Sequence, residues 1–383
     1  MKQLVKTSYK EEDVIVLLQD LSTKMQEMST EEREHAIQSG IHYSEMLPQE
    51  KEPSKDYKLL YNKALTEKKV EIAKHIATLS EIVLKTTNNK KPVLISLARA
   101  GLPVGILVKR YLKYKYDIDC AHYAISIIRD KGFDTNAMEY IYKKEVEENG
   151  NCVESFHFID GWTGKGAIKT QLEEAVLDLR FPNGFVDDEI PCKSKWADLS
   201  DDLYVLADPA NITPYCGTHL DYLLPSACLN STVSGLVSRT ILNKFVDVEN
   251  GDYHGGVYFE KFESIDCSNE FIDCISSEFC NVGQVDSEIY SVNNLPKGMD
   301  VVMNICATMD VKDYKKVKPG IGETTRVLLR RMPWKVLINK YVSDSDPDIQ
   351  HILELCKEKN IPIERFDLEN YKVCGIIKEL ADA

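Results

Sequence analysis

Between Pro92 and Leu206, short apolar runs alternate with stretches of helical spacing, and this alternation narrows the fold more than any other feature of the sequence. Pro92-Val93-Leu94-Ile95-Ser96 has the pattern of a buried strand. Gly101 and Pro103 break it, and Val104, Val108, Tyr111 and Leu112 resume a helical period. A second strand is expected at Cys120 to Ile128, followed by a polar, glycine-containing stretch from Arg129 to Asn136 and a helix at Ala137 to Glu148. A third strand, Ser155 to Ile159, precedes a helix whose apolar stripe is Ile168, Leu172, Ala175, Val176 and Leu179, and a fourth strand covers Leu203 to Leu206. Strands that alternate with helices predict an α/β fold with a mainly parallel sheet covered on both faces. In such sheets, ligands bind outside the carboxyl ends of the strands.

The flanks read differently. Residues 10–90 carry helical patterns with polar joins, the clearest from Tyr57 to Lys85, and suggest a helical N-terminal hood over 1–90. After Phe245 the chain turns polar, a helix is expected near Asn269 to Phe279, and a linker follows at about 281–296. Beyond it a small βα pattern begins: a helix after Gly322, a strand at Lys335 to Asn339, a helix at Pro347 to Lys359 and a strand at Ile361 to Phe366. The domains expected are therefore 1–90, 91–285 and 290–383. With 383 residues, 43% of them apolar, the chain is long enough for two or three cores. No apolar run is long enough to span a membrane and no secretion signal is evident, so a cytoplasmic location is expected; self-association is left open. The eleven cysteines form no C-x-x-C pair and read as reduced thiols.

The densest chemical signal is His157-Phe158-Ile159-Asp160-Gly161-Trp162-Thr163-Gly164-Lys165-Gly166, set between a strand and a helix. Small residues let backbone N–H groups approach an anion, a helix N-terminus adds partial positive charge, and Thr163 carries a hydroxyl. Gly164, Lys165 and Gly166 would form the cradle. Asp160 is placed to accept hydrogen bonds from sugar hydroxyls or to reach Mg2+ through water. Neither P-loop nor dinucleotide-binding spacing is present. Upstream, Arg99-Ala100-Gly101 follows the first core strand.

In order and context these two loops resemble those of the type I phosphoribosyltransferases over about residues 90–245. The resemblance implies a substrate, phosphoribosyl pyrophosphate, bound with Mg2+, and a base-like acceptor held under the hood. It also implies a flexible loop in which Arg129 and Lys131 meet the leaving pyrophosphate beside Arg99. Gly161 stands where that superfamily usually has a second acidic residue. Over the whole chain, Ile127-Ile128-Arg129, the Asp160 loop and Pro225 to Arg239 resemble proteins encoded beside bacterial tellurite-resistance genes. Those proteins join a phosphoribosyltransferase-like domain to a Pelota-like RNA-binding domain, and the same family also carries the name cysteine protease StiP. The expected activity is phosphoribosyl transfer. The alternatives are a cysteine peptidase and a phosphoribosyl or nucleotide sensor that binds RNA without turnover.

For a peptidase, the candidate nucleophile is Cys228, paired with His219 or His254 and with Asn230, although no basic residue near Cys228 in sequence lowers its pKa. The net charge of -14 argues against general adhesion to nucleic acid, yet Lys312 to Lys340 holds nine basic residues against two acidic ones. Within it, Gly320, Gly322, Glu323 and Arg326 resemble the RNA-contacting loop of the Pelota-type fold, with Arg330 and Arg331 following. Gly322 occupies the family's Asn position.

Overall fold

The computed structural model describes residues 3–87, 91–182 and 194–378. Its first part carries four two-residue strands, β1 (Ile15–Val16), β2 (Gln19–Asp20), β3 (Glu27–Met28) and β4 (Leu47–Pro48), and helices α1 (Thr30–Gln38) and α2 (Lys55–Thr86). The expected run of helices over residues 10–90 is thus confined to α1 and α2. β1 instead extends the main sheet, with Ile15 opposite Tyr123. α2 is one continuous helix: Ser54 caps its first turn, and Tyr61, Ala64, Leu65, Ile72, Ile76, Leu79 and Val83 are its buried stripe.

The main sheet continues with β5 (Val93–Ala98), helix α3 (Gly101–Tyr116), β6 (Ala121–Ile128), β7 (Gly132–Phe133), α4 (Thr135–Tyr142), β8 (Phe156–Trp162), α5 (Ala167–Arg180), β9 (Leu203–Ala207) and β10 (Cys216–Thr218). The strand order is β1-β6-β5-β8-β9-β10, all parallel, with β7 hairpinned onto β6. β5 is buried along almost its whole length, as a central parallel strand must be. Two apolar layers flank the sheet: α2 and α3 on one face, α4 and α5 with Trp196 and Leu199 on the other.

After β10 come the short helix α6 (Pro225–Cys228), β11 (Gly255–Gly256), which pairs with β2, and α7 (Ser268–Ser276). The C-terminal unit contains α8 (Gly298–Met309), β12 (Val317–Pro319), α9 (Ile321–Arg330), β13 (Pro333–Asn339), α10 (Gln350–Glu358), β14 (Ile363–Phe366) and β15 (Val373–Ile377). Its four-stranded sheet has the order β12-β15-β13-β14, with β13 and β14 parallel and the other pairs antiparallel. The α/β class expected from the sequence holds for both units. Among the described residues no helix is long and apolar enough to cross a membrane.

Candidate active site and nucleic-acid interface

The Asp160 loop lies at the carboxyl end of β8, as its strand–turn–helix pattern requires, but its carboxyl and hydroxyl groups, Asp160 and Thr163, are buried. Asp160 is the fifth residue of β8, opposite Val205, and is buried. Burial pushes its carboxyl up to about 7, against which the hydrogen bond from the Gly161 N–H (2.8 Å) pulls only partly. The small residues around it serve close packing. A Cβ on Gly101 would lie 2.3 Å from the Ile159 carbonyl oxygen, and one on Gly161 would lie 3.0 Å from the Ala100 carbonyl oxygen. Two backbones touch at these positions.

Thr163 donates its hydroxyl to Asp208 Oδ1 (2.5 Å), and the Tyr371 hydroxyl donates to the Gly164 carbonyl (2.7 Å). Lys165 donates to the Tyr314 carbonyl (2.7 Å) and lies over that ring; burial, then Lys318, lowers it to about 8. The C-terminal unit therefore closes this turn. Between Thr163 and Gly320 the remaining cavity is about 20 Å³, room for about one water. Gly166, at φ +93°, starts α5 where any Cβ would meet Ile212. Arg99 half-buries its guanidinium against Glu50 (3.4 Å) and the Val237 carbonyl (3.1 Å). Arg129 and Lys131 are exposed at the β6–β7 turn.

One strand further along the sheet, three polar groups meet. Asp208 follows β9 and is fully buried; its carboxylate accepts from Thr163, from the Ile212 N–H (2.8 Å) and from the Thr213 N–H (3.0 Å). His219 follows β10 and is partly exposed. Its Nδ1 lies 3.1 Å from the Asp208 carbonyl oxygen and 3.5 Å from Oδ2, which assigns the proton on Nδ1. Its Nε2 lies 3.3 Å from Sγ of Cys216, the first residue of β10. Asp208, then Cys216, hold the ring protonated up to about 10. Burial holds the Cys216 thiol above its ordinary value, and His219 offsets this only in part.

Sequence spacing alone placed His219 beside Cys228. The structure instead gives its ring to Cys216, while Cys228 lies fully buried at the end of α6, in the core against α2. His254 is likewise remote from any thiol contact: its Nδ1 meets Ser126 Oγ at 2.8 Å and its N–H donates to Asp134. Cys216 was missed because Cys216-Gly217-Thr218 carries no apolar run to announce a strand. The available signal was the three-residue step from Cys216 to His219, just after a strand ending in Asp208. The atoms of Asp208, Cys216 and His219 lie within 4.8 Å of one another and are, among the described residues, the group that could hold a metal ion. Asp160 stands outside it. The lone pairs of Asp208 are already taken by two backbone N–H groups and a hydroxyl, which suits an orienting carboxylate better than a metal ligand.

In the C-terminal unit Gly320 (φ +93°) begins α9 but is buried. The Ile321 N–H donates to Asp221 Oδ1 (2.9 Å), so a carboxylate of the main unit already occupies this helix entrance. A Cβ on Gly322 would meet Ala227 at 3.2 Å. Glu323 pairs with Arg326 (3.2 Å), Arg331 is exposed, and Arg330 closes the helix.

Asp208 and His219 follow β9 and β10, and Cys216 opens β10, in a parallel sheet joined to a small α/β domain. Comparison with known proteins gives the family. Residues 7–276 match the family described as "Tellurite-like stress resistance cysteine protease StiP", and residues 296–379 match the "PELOTA RNA binding domain". A protein of Acinetobacter baylyi named "Cysteine protease StiP" is 30% identical, with 99% of this chain and 96% of that protein covered. The chain belongs to the StiP family and carries a C-terminal Pelota domain. These matches overturn the expectation of a phosphoribosyltransferase: both the family and the relative are named for proteolysis, and transferase chemistry with phosphoribosyl pyrophosphate and Mg2+ finds no support in them. The peptidase alternative is the one they favour.

Proposed function

We propose that this protein is a cysteine peptidase in which Cys216 is the nucleophile, His219 the proton carrier and Asp208 the residue that orients the ring. The observation that carries it is the 3.3 Å approach of His219 Nε2 to Cys216 Sγ, with Nδ1 held by Asp208. With the ring held as an imidazolium, the reactive form of Cys216 is the thiolate beside it, its proton lost to solvent, and this thiolate attacks a peptide carbonyl. His219 Nε2–H then protonates the departing amine, and the neutral ring takes a proton from the water that hydrolyses the thioester, restoring thiolate and imidazolium. A ring that stays protonated up to about 10 stabilises a neighbouring thiolate and opposes the effect of burial on Cys216. The test is hydrolysis of casein, or cleavage of the chain itself, by wild type, C216A and C228A. Activity lost in C216A and kept in C228A supports the assignment; the reverse pattern refutes it.

The C-terminal domain is proposed to hold RNA near this catalytic unit, supported by the Pelota match and by the basic stretch around α9. Retention of tRNA by the whole chain, falling as salt rises, is the check.

A further inference from the structure

The sealed entrance of α9 raises the question of where the basic side chains of the Pelota domain lead. They lead into a groove of about 1040 Å³ between the C-terminal unit and the main unit, lined by Lys318, Arg326 and Arg331 on one wall and by Arg33, Arg99 and Arg239 on the other. Glu31, Glu50, Glu52, Asp56, Glu323 and Glu358 line it too, and three of them are paired: Glu50 with Arg99, Glu52 with Lys58 and Glu323 with Arg326. Among the described residues no carboxylate forms an ion pair with Arg239, Lys318 or Arg331. Arg239 is mostly withdrawn from water, with its guanidinium 5.1 Å from the centre of the Tyr43 ring. Burial, then Arg33 and Arg99, lowers its pKa to about 10; Lys318 is lowered by burial, against the pull of the nearby Glu323, with Arg129 and Arg331 adding to the lowering.

A half-buried guanidinium with no carboxylate paired to it, facing other cations, is less favourable than one joined by an anion. Arginine's planar donors fit phosphate oxygens in pairs. We infer that this groove is a phosphodiester site in which RNA lies between the two units, contacted by Arg239 and Arg33 of the main unit as well as by Lys318, Arg326 and Arg331. This rests on the proposal that the C-terminal domain binds RNA, and extends it to a second wall that the Pelota match does not cover. The glycine loop at Gly320 is closed by Asp221, and the groove is where Lys318, Arg326 and Arg331 meet Arg33 and Arg239.

The experiment is fluorescence anisotropy of labelled tRNA with the full chain, across a range of salt, using wild type, R239Q, R33Q and the double variant R326E with R331E. The double variant is expected to weaken binding at least tenfold. R239Q and R33Q are each expected to weaken it about threefold to tenfold and to reduce the salt slope by about one. If the double variant weakens binding while R239Q and R33Q match wild type in affinity and slope, the second wall takes no part and the inference fails, although RNA binding by the Pelota domain stands. If all variants match wild type, RNA binding by the C-terminal domain fails with it. Should R239Q lose its fold, R33Q on α1 reads the same wall.

Discussion

β8 and β9 are neighbours in one parallel sheet and end at the same edge, yet their terminal aspartates live in opposite circumstances. Asp160 on β8 is ringed by backbone and receives one N–H, and its turn is covered by Tyr371 and Tyr314 of the C-terminal unit. Asp208 after β9 is equally buried but collects a hydroxyl and two N–H groups and faces a histidine whose far nitrogen meets a thiol. The first carboxylate is held against its own charge, and the second is supplied with donors. Donor supply, rather than position at a strand end, separates a group built to work from one built to pack.

The largest expected effect falls on the second region. C216A should lower peptidase activity on the order of 10³-fold or more with an unchanged circular dichroism spectrum; activity within tenfold of wild type would move the nucleophile elsewhere. D208N removes the negative charge that two N–H groups and the His219 ring meet, while the Asp208 carbonyl still holds Nδ1. It should cost about 1–3 kcal/mol of stability in urea unfolding and on the order of 10²-fold in activity.

The first region should respond in the opposite sense. The Asp160 carboxyl is raised to about 7 by burial, so its ionised form is penalised, and the penalty grows from the ordinary carboxylate range up to that value. D160N should therefore stabilise the protein at pH 8, by up to about 4 kcal/mol, with little change at pH 3.5 and activity within twofold. A sharp loss of activity in a folded D160N would return chemistry to β8.

A pH series sharpens the contrast further. The protonated ring of His219 contributes stability in full below about 6.5 and loses it as pH rises through about 10. The stability difference between wild type and H219Q should thus be larger at pH 6 than at pH 10.5. The smallest effect is expected at Gly164, where a Cβ meets nothing within 4 Å. G164A should leave melting temperature and activity unchanged, whereas an anion cradle at that turn would be disturbed by it.

The sequence displayed the sheet well because its central strands are buried on both faces, and a continuous apolar run such as Val93 to Leu97 is hard to mistake. β10 was invisible for the converse reason: three residues, one of them glycine, at the sheet's edge. β15 and α8 were also missed, although Val373 to Ile377 is apolar, because no helical stretch set it apart at the chain's end. At the candidate site, His219 was legible as a residue but not as a partner. Glycines beside a carboxylate look alike in sequence whether they admit a phosphate or, like Gly101 and Gly161, admit another backbone. Only the distances to Ile159 and Ala100 tell the two apart.

The measurement that bears most directly on the account is mass-spectrometric mapping of iodoacetamide modification at pH 6, where ordinary thiols are protonated and slow, in wild type and in H219A. Cys216 is expected to react ahead of the exposed Cys280 in wild type and to lose that lead in H219A. Cys216 remaining unmodified in both, while Cys228 reacts in a peptidase that is thereby inactivated, would contradict it.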